Sequence, residues 1–599
     1  MKYLIITSIL YVLCSCTNLN VILPESIVVH TDNILISKGE ELEFEFTIIP
    51  DNADFTYDIS SSDCQVSLVS DNDSIQNYAL TRIESVLSTH GRYKAFITDL
   101  EITDRYCEDF YLVITNSDAS IIKSEPIKIQ FSGTSLFSIS FLKNNNQGVV
   151  LKDICISIDS SIINIMSPFI SGPELKASFE TNGLQVLVNG IEQQSGITVN
   201  DFSKPVKYDI ISSNGEEESY YVTLNYSGLP IVIIDTPNQI SIPSKNEDWL
   251  EDATIKIIKP NGDYEYSGTT GIRGRGNTTW TYPKKPYALK FDEKVEILGM
   301  PKHKRYVLLA NWLDRTLLRN RIAFQIALST GMKWTPHGEF VEVVLNGQHI
   351  GNYYLCEQIK IDENRVNISE LDDDISGGYL LELDTYFDET YKFKSEIKSL
   401  PYMFKDPDEV TEEQYQYIKN YIKELEYSLY DDKQFISEKF LDFIDIDTFI
   451  DMWFVQELSS NYEPNHPKSI YLYKDKQKKL CAGPVWDFDY GTFHHSRSNS
   501  LITVDALYYG RLFQSTTVIS KLKYRWSLHY EKFKKIPDFI KTESKKICSS
   551  EKMNHYYWPI WYGVNVNGDE FLSFDDAVSQ MKETFEKKLS FMNDYITNL

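Results

Sequence analysis

Residues 445–491 read DIDTFIDMWFVQELSSNYEPNHPKSIYLYKDKQKKLCAGPVWDFDYG, and the rest of the chain is organised around them. In 446–458, Phe449, Ile450, Trp453, Phe454 and Leu458 recur at helical spacing, which predicts a helix. In SSNYEPNHPKS, 459–469, Asn461, Pro464, Asn465 and Pro467 forbid its continuation. Two runs of strand character on either side of 474–479 predict a hairpin. An acidic turn follows, Asp487-Phe488-Asp489-Tyr490-Gly491. Two hard carboxylates flanking one Phe suit Mg²⁺; the plainer alternative is that Asp487 caps a turn.

Composition bounds the reading. The chain has 599 residues, enough for three or four domains, and its 42% hydrophobic and 24% charged residues are those of a globular protein. A formal net charge of −27 argues against nucleic acid as a partner. The 39 Tyr and 31 Phe suit β-rich modules and exposed binding faces.

At the N-terminus, Lys2 precedes an apolar run over 3–13 and then Leu13-Cys14-Ser15-Cys16. This resembles a bacterial lipoprotein signal over 1–16, with Cys16 lipidated. The apolar run is too short to span a bilayer, so the membrane would be reached only through a lipid anchor, at the cell envelope and its outer membrane. The remaining cysteines have no metal-like spacing; Cys64 and Cys107 could pair or remain isolated thiols.

Residues 20–132 alternate strand-like runs (SIVVH, LEFEFTII, FYLVIT, IKIQF) with turn signals, which predicts an Ig-like β-sandwich. A second β-sandwich module is expected over 134–227, with a hairpin at Asn214-Gly215. Its ending resembles the small modules of exported Bacteroidetes proteins, which implies a spacer or adhesion role. From 230 the composition shifts. YEYSGTTGIRGRGNTTW, 264–280, carries Gly271, Gly274 and Gly276, which let backbone approach a ligand, with Arg273 and Arg275 between them. Lys290 follows on a strand. Asp314 is a candidate cap for a helix bearing Leu318, Ile322 and Ile326, and Asn346-Gly347 marks a hairpin. Thr411 and Gln414 form a candidate capping box for a helix to about 430. A last helix is expected near 577–596.

Seven motifs in order carry a family resemblance: RGRGNTTW (273–280), PKKPYALK (283–290), LLANWLDRTLLRN (308–320), GNYYLCEQI (351–359), NRVNI (364–368), GGYLLELD (377–384) and PVWDFDYG (484–491). Together they resemble the CotH kinase family, the spore-coat-type atypical protein kinases, over 230–599. The resemblance implies an α+β, divergent protein-kinase-like domain that uses ATP and Mg²⁺, or Mn²⁺, to phosphorylate Ser or Thr of a protein substrate. By that resemblance Lys290 binds the α/β-phosphates and the backbone at Gly274, Arg275, Gly276 and Asn277 covers them, with Gly271, Arg273 and Glu357 in support. Asp487, Asp489 and Asn465 (or Asn461) would hold metal, and Glu463 would receive the substrate hydroxyl proton. The family usually places Asp where this chain has Glu463, one methylene longer. The alternatives are a catalytically weak kinase-like surface protein acting as adhesin or scaffold, and a two-carboxylate hydrolase using Glu463 and Asp487.

Overall fold

The computed structural model describes residues 22–30, 33–37, 40–53, 55, 65–70, 77–86, 89, 91–98, 108–116, 118–147, 150, 153–158, 160–167, 174–370, 373–559 and 566–599. Cys16 with its signal segment, and Cys64 and Cys107, lie outside these. The described residues divide into two compact units at Leu224 and Asn225, with Val150, Met166 and Ser167 grouped with the second.

The first unit is β-rich because its strands alternate apolar and polar residues. In Leu42–Ile49 every second side chain, Leu42, Phe44, Phe46 and Ile48, is buried. Leu42–Ile49 pairs with Ser26–Val29 and Arg92–Ile97 in one sheet, and Ile127–Ser132 pairs with Asn33–Ser37 and Glu108–Thr115 in another. The inward residues of both form a single core over 27–131. Beyond it, Leu136–Phe141 and Val206–Ile211 centre two further sheets. The hairpin between Val206–Ile211 and Glu217–Tyr226 forms as expected, with Gly215 at φ +86°.

The second unit begins with a closed seven-stranded barrel. Its strands are β1 (Ile231–Asp235), β2 (Leu250–Ile258), β3 (Tyr264–Gly274), β4 (Tyr287–Ile297), β5 (Met300–Leu309), β6 (Gly338–Leu345) and β7 (Gln348–Glu357). They run in the order β1-β2-β3-β4-β5-β7-β6, and the parallel pairing of β1 with β6, Ile231 opposite Glu342, closes the barrel. Ile255, Ile272, Leu289, Leu308, Val341 and Leu355 fill its interior. The β6–β7 hairpin turns at Asn346 and Gly347, both at positive φ, as Asn-Gly demands.

Between β5 and β6 lies helix α1 (Arg319–Leu328). Its N-cap position is Leu318, not Asp314; Asp314, four residues further upstream, accepts the Arg319 N–H through Oδ2 at 2.7 Å. A second sheet follows, from β8 (Tyr379–Leu383), β9 (Lys392–Lys394), β10 (Pro401–Asp406), β11 (Ile470–Lys474) and β12 (Leu480–Ala482), in the order β9-β10-β8-β11-β12. With it go α2 (Glu412–Tyr430), which carries the Thr411–Gln414 capping box, α3 (Asp432–Ile436), α4 (Ile446–Leu458) and α5 (Tyr509–Leu512); α6 (Thr516–Phe533) and α8 (Phe574–Asn598) pack on α4, and α7 (Ile536–Tyr557) packs on barrel strand β7 and on α8. Met581, Phe585, Leu589 and Met592 of α8 enter the common core. Among the described residues no helix is long and apolar enough to cross a membrane.

Candidate active site

Helix α4 is buried nearly all round, so its polar side chains must be satisfied inside the protein. Arg525 donates to both Asp451 oxygens, at 2.7 and 2.5 Å, and the Gly331 N–H adds a bond at 3.0 Å. Glu457 accepts from the Ile502 and Thr503 N–H groups at 2.9 and 2.6 Å and from Lys588 Nζ at 2.8 Å. Gln456 accepts from Asn461 Nδ2 at 2.8 Å. The end of α4 is therefore fixed, and with it the start of the loop after Ser459. The Asn461 side-chain oxygen then accepts the Glu463 N–H at 3.0 Å, an Asx turn that sets where Glu463 points.

Glu463 points into a cleft of about 610 Å³. One wall is the barrel side, with Arg273, Arg275 and Arg305; the other carries Glu382, Asp384, Lys405, Asp487 and Asp489. Asp487 sits at φ +66°, a conformation Asp tolerates better than most residues. Helix α1 holds it there: Asn320 Oδ1 accepts the Phe488 N–H at 2.7 Å, and Phe324 stacks on Trp486 at 5.8 Å between centroids. Ser469 Oγ donates to Asp487 Oδ2 at 3.4 Å, while Asp384 accepts the Ser469 and Tyr386 N–H groups at 3.3 and 2.7 Å.

The electrostatics show how tightly the acids converge. Burial first, and next the Asp487 charge, push the Glu463 carboxyl well above the usual range; Lys468 opposes. Burial and then Asp487 do the same to Asp489. Burial also raises Asp384, against its backbone N–H bonds. Lys405 donates to Glu389 at 2.5 Å and lies 3.2 Å from Glu382; burial lowers its pKa, but these carboxylates hold it above the ordinary lysine value.

The donor set bears on a metal. Among the described residues, no three His, Cys, Asp or Glu side chains are arranged as a closed metal centre. Asp487 and Asp489 are nonetheless close enough for one to raise the other. Two carboxylate ligands fit Mg²⁺ or Mn²⁺ that keeps water and phosphate oxygens for its other positions.

The other expected residues are placed unevenly. Arg273, Gly274, Arg275, Gly276 and Asn277 line the cleft. The Gly274 and Arg275 N–H groups, however, donate to the Pro243 and Pro286 carbonyls at 2.7 and 3.3 Å, so they do not cradle phosphate. Gly274 is glycine because a Cβ would come 2.4 Å from the Trp280 ring. Gly271 pairs with Lys290 in the β3–β4 ladder and does not line the cleft. Lys290 pairs with Arg305 across β4 and β5; its Nζ lies 5.8 Å from the Trp249 ring centroid and is held on Glu251 at 3.1 Å. Glu357 is enclosed and binds Arg365 and the His337 N–H, at 2.9 Å for the latter, so it braces the barrel end and touches no ligand. Asn465 donates to the Tyr462 and Ile502 carbonyls at 3.1 and 3.0 Å and lines a separate cavity, away from Asp487. Asn461 spends its amide on Gln456 and Glu463, so it positions the loop and does not ligate metal.

Arg305, Lys405, Asp384, Asn320 and Trp249 were not singled out by sequence. Asp384 and Asn320 each end a motif, GGYLLELD and LLANWLDRTLLRN, which was the available signal. Arg305, Lys405 and Trp249 gave none. They reach the cleft only through strand pairing across long separations.

The model of the family described as CotH kinase protein matches residues 272–598, more than half of the chain. No curated protein matches it. The matched segment contains Glu463, Asp487, Asp489 and all but the first two strands and part of the third of the barrel whose wall faces them. The chain belongs to the CotH kinase family.

Proposed function

We propose that the C-terminal domain transfers the terminal phosphoryl group of ATP to a Ser or Thr hydroxyl of a protein substrate at the cell envelope. The observation that carries this reading is the convergence of Glu463, Asp487 and Asp489 in one cleft, facing Arg275, whose guanidinium lies 5.1 Å from the centroid of the Trp486 ring. Phosphoryl transfer needs in-line positioning and neutralisation of negative charge, and the cationic wall supports the second. Glu463 would accept the proton of the attacking hydroxyl, held for that by Asn461. Asp487 and Asp489 would hold Mg²⁺ or Mn²⁺. When bound, such an ion neutralises charge on phosphate oxygens. Arg275 and Lys468 supply fixed positive charge beside the carboxylates. A hydrolase acting on a neutral glycoside would have no use for the cationic wall.

The rest of the chain suits export in this reading. The β-rich unit would comprise two Ig-like sandwich modules that space the kinase domain from a lipid anchor on Cys16, at the outer membrane. Nucleic acid has no place in the scheme, given the net charge of −27.

Transfer of labelled γ-phosphate to the protein or to a Ser-rich test substrate is the deciding experiment. Glu463→Gln keeps shape without basicity and should lower kcat while nucleotide affinity persists. Asp487→Asn should weaken Mg·ATP binding and abolish turnover. No transfer by the wild-type chain with Mg²⁺ or Mn²⁺ would leave a scaffold built on a kinase-like domain.

A further inference from the structure

Trp249 stands in the cleft beside two arginines and, further off, Lys290, whose Nζ is 5.8 Å from its ring centroid. The Arg273 guanidinium lies 4.4 Å from its ring centroid and that of Arg305 lies 4.7 Å from it. Arg273 comes from β3 and Arg305 from β5, and both line the cleft. Burial lowers both below the usual guanidinium range, and the Arg273 charge adds to the effect on Arg305. Two half-buried like charges side by side are costly, and an aromatic face offsets only about 2 kcal/mol of that. Three lysines of the same cleft each have a carboxylate: Lys245 with Asp388 at 2.7 Å, Lys360 with Asp408 at 3.4 Å, Lys405 with Glu389 at 2.5 Å. Among the described residues, Arg273 and Arg305 have no salt bridge or side-chain hydrogen bond.

Their isolation is built in. The carboxylates whose charge reaches Arg305 are Asp408 and Glu251. Each is held by a lysine: Asp408 by Lys360, and Glu251 by Lys290 at 3.1 Å. The lysines thus leave two guanidiniums facing the cleft for an anion that the protein does not supply. Arg275 lies two residues further along the chain, beside Trp486, and two extended residues span about 7 Å. Arg275 lines the same cleft, so the arginines form a row of cations along which a polyphosphate chain can lie.

We propose that Arg273 and Arg305, held against the Trp249 ring, bind the non-transferred phosphates of the nucleotide, and that Lys290 acts indirectly by keeping Glu251 off Arg305. The assignment rests on the phosphoryl-transfer reading. It differs from direct phosphate binding by Lys290 in one measurable way, because removing Glu251 should make Lys290 dispensable.

Isothermal titration of the full chain with ATP and with inorganic tripolyphosphate, both with Mg²⁺, tests it. Arg305→Gln should weaken both ligands about tenfold or more, as loss of a charged hydrogen-bond donor does. Lys290→Ala should also weaken both, and adding Glu251→Gln to it should restore wild-type affinity. Melting temperatures establish folding. Should Arg305→Gln fail to fold, Arg305→Lys keeps the charge, loses the planar fork, and should still weaken both ligands. Unchanged affinity in the folded Arg305 variant overturns the proposal. So does a Lys290→Ala/Glu251→Gln double variant as weak as Lys290→Ala alone. Either result with ATP still bound by the wild type leaves the kinase reading intact. A wild-type chain that binds neither ligand overturns both.

Discussion

Asn320 Oδ1 accepts the backbone N–H of Phe488 at 2.7 Å, and this bond couples helix α1 to the turn that presents Asp487 and Asp489. Both residues are buried, so the bond has no water to replace it. Asn320 in turn donates to Asn311 at 3.1 Å. Asn320→Leu should therefore strand the Phe488 N–H at a cost of about 1–3 kcal/mol. Phosphate transfer should fall further than stability explains, because Asp487 loses its fixed position. Thermal melts and labelled-phosphate assays on one preparation separate the two effects.

Glu463→Asp shortens the carboxylate by one methylene. The Asn461 bond fixes the backbone at 463, so the loop cannot advance to compensate. A misplacement on the order of 1 Å costs roughly 10²-fold in rate. The expected outcome is a lower kcat with unchanged nucleotide affinity. Higher transfer in this variant would show that the loop does move.

Lys588 and Glu457 form an enclosed ion pair at 2.8 Å, both without solvent exposure. Burial lowers the Lys588 pKa while Glu457 opposes it. Lys588→Met leaves a buried carboxylate with only N–H and hydroxyl donors, and should destabilise the domain by about 3–5 kcal/mol. A Lys588→Met/Glu457→Gln double variant should recover part of that loss in a denaturant titration.

His303 gives the domain an acid limit. Burial, and then the Arg365 charge, hold its pKa down to about 4, with Asp362 opposing. The folded state binds this proton less readily than the unfolded chain, whose histidine titrates near 6.5. Its contribution is present above that value and is lost as pH falls towards about 4. Stability measured from pH 7 to 4 should decline in that window, and His303→Gln should flatten the decline. An unchanged slope in His303→Gln would assign the acid sensitivity to other groups.

Local sequence determined the elements whose cause is local. Period-2 alternation made Leu42–Ile49 a half-buried strand, Asn346-Gly347 closed the β6–β7 hairpin, and the Thr411–Gln414 box began α2. The placing of Glu463 after α4 and of Asp487 after a hairpin was equally legible, because short connections fix both. The tertiary structure alone decided which residues share the cleft. Strand pairing decided that β1 closes the barrel on β6, more than a hundred residues away, and it set Arg305 beside Arg273 and Lys405 opposite them. It also turned Lys290 onto Glu251, enclosed Glu357 with Arg365 and aimed Asn465 away from the acids. A motif fixes a residue's chemistry, but its neighbours depend on register, closure and packing between segments far apart in the chain, and those have no local signal.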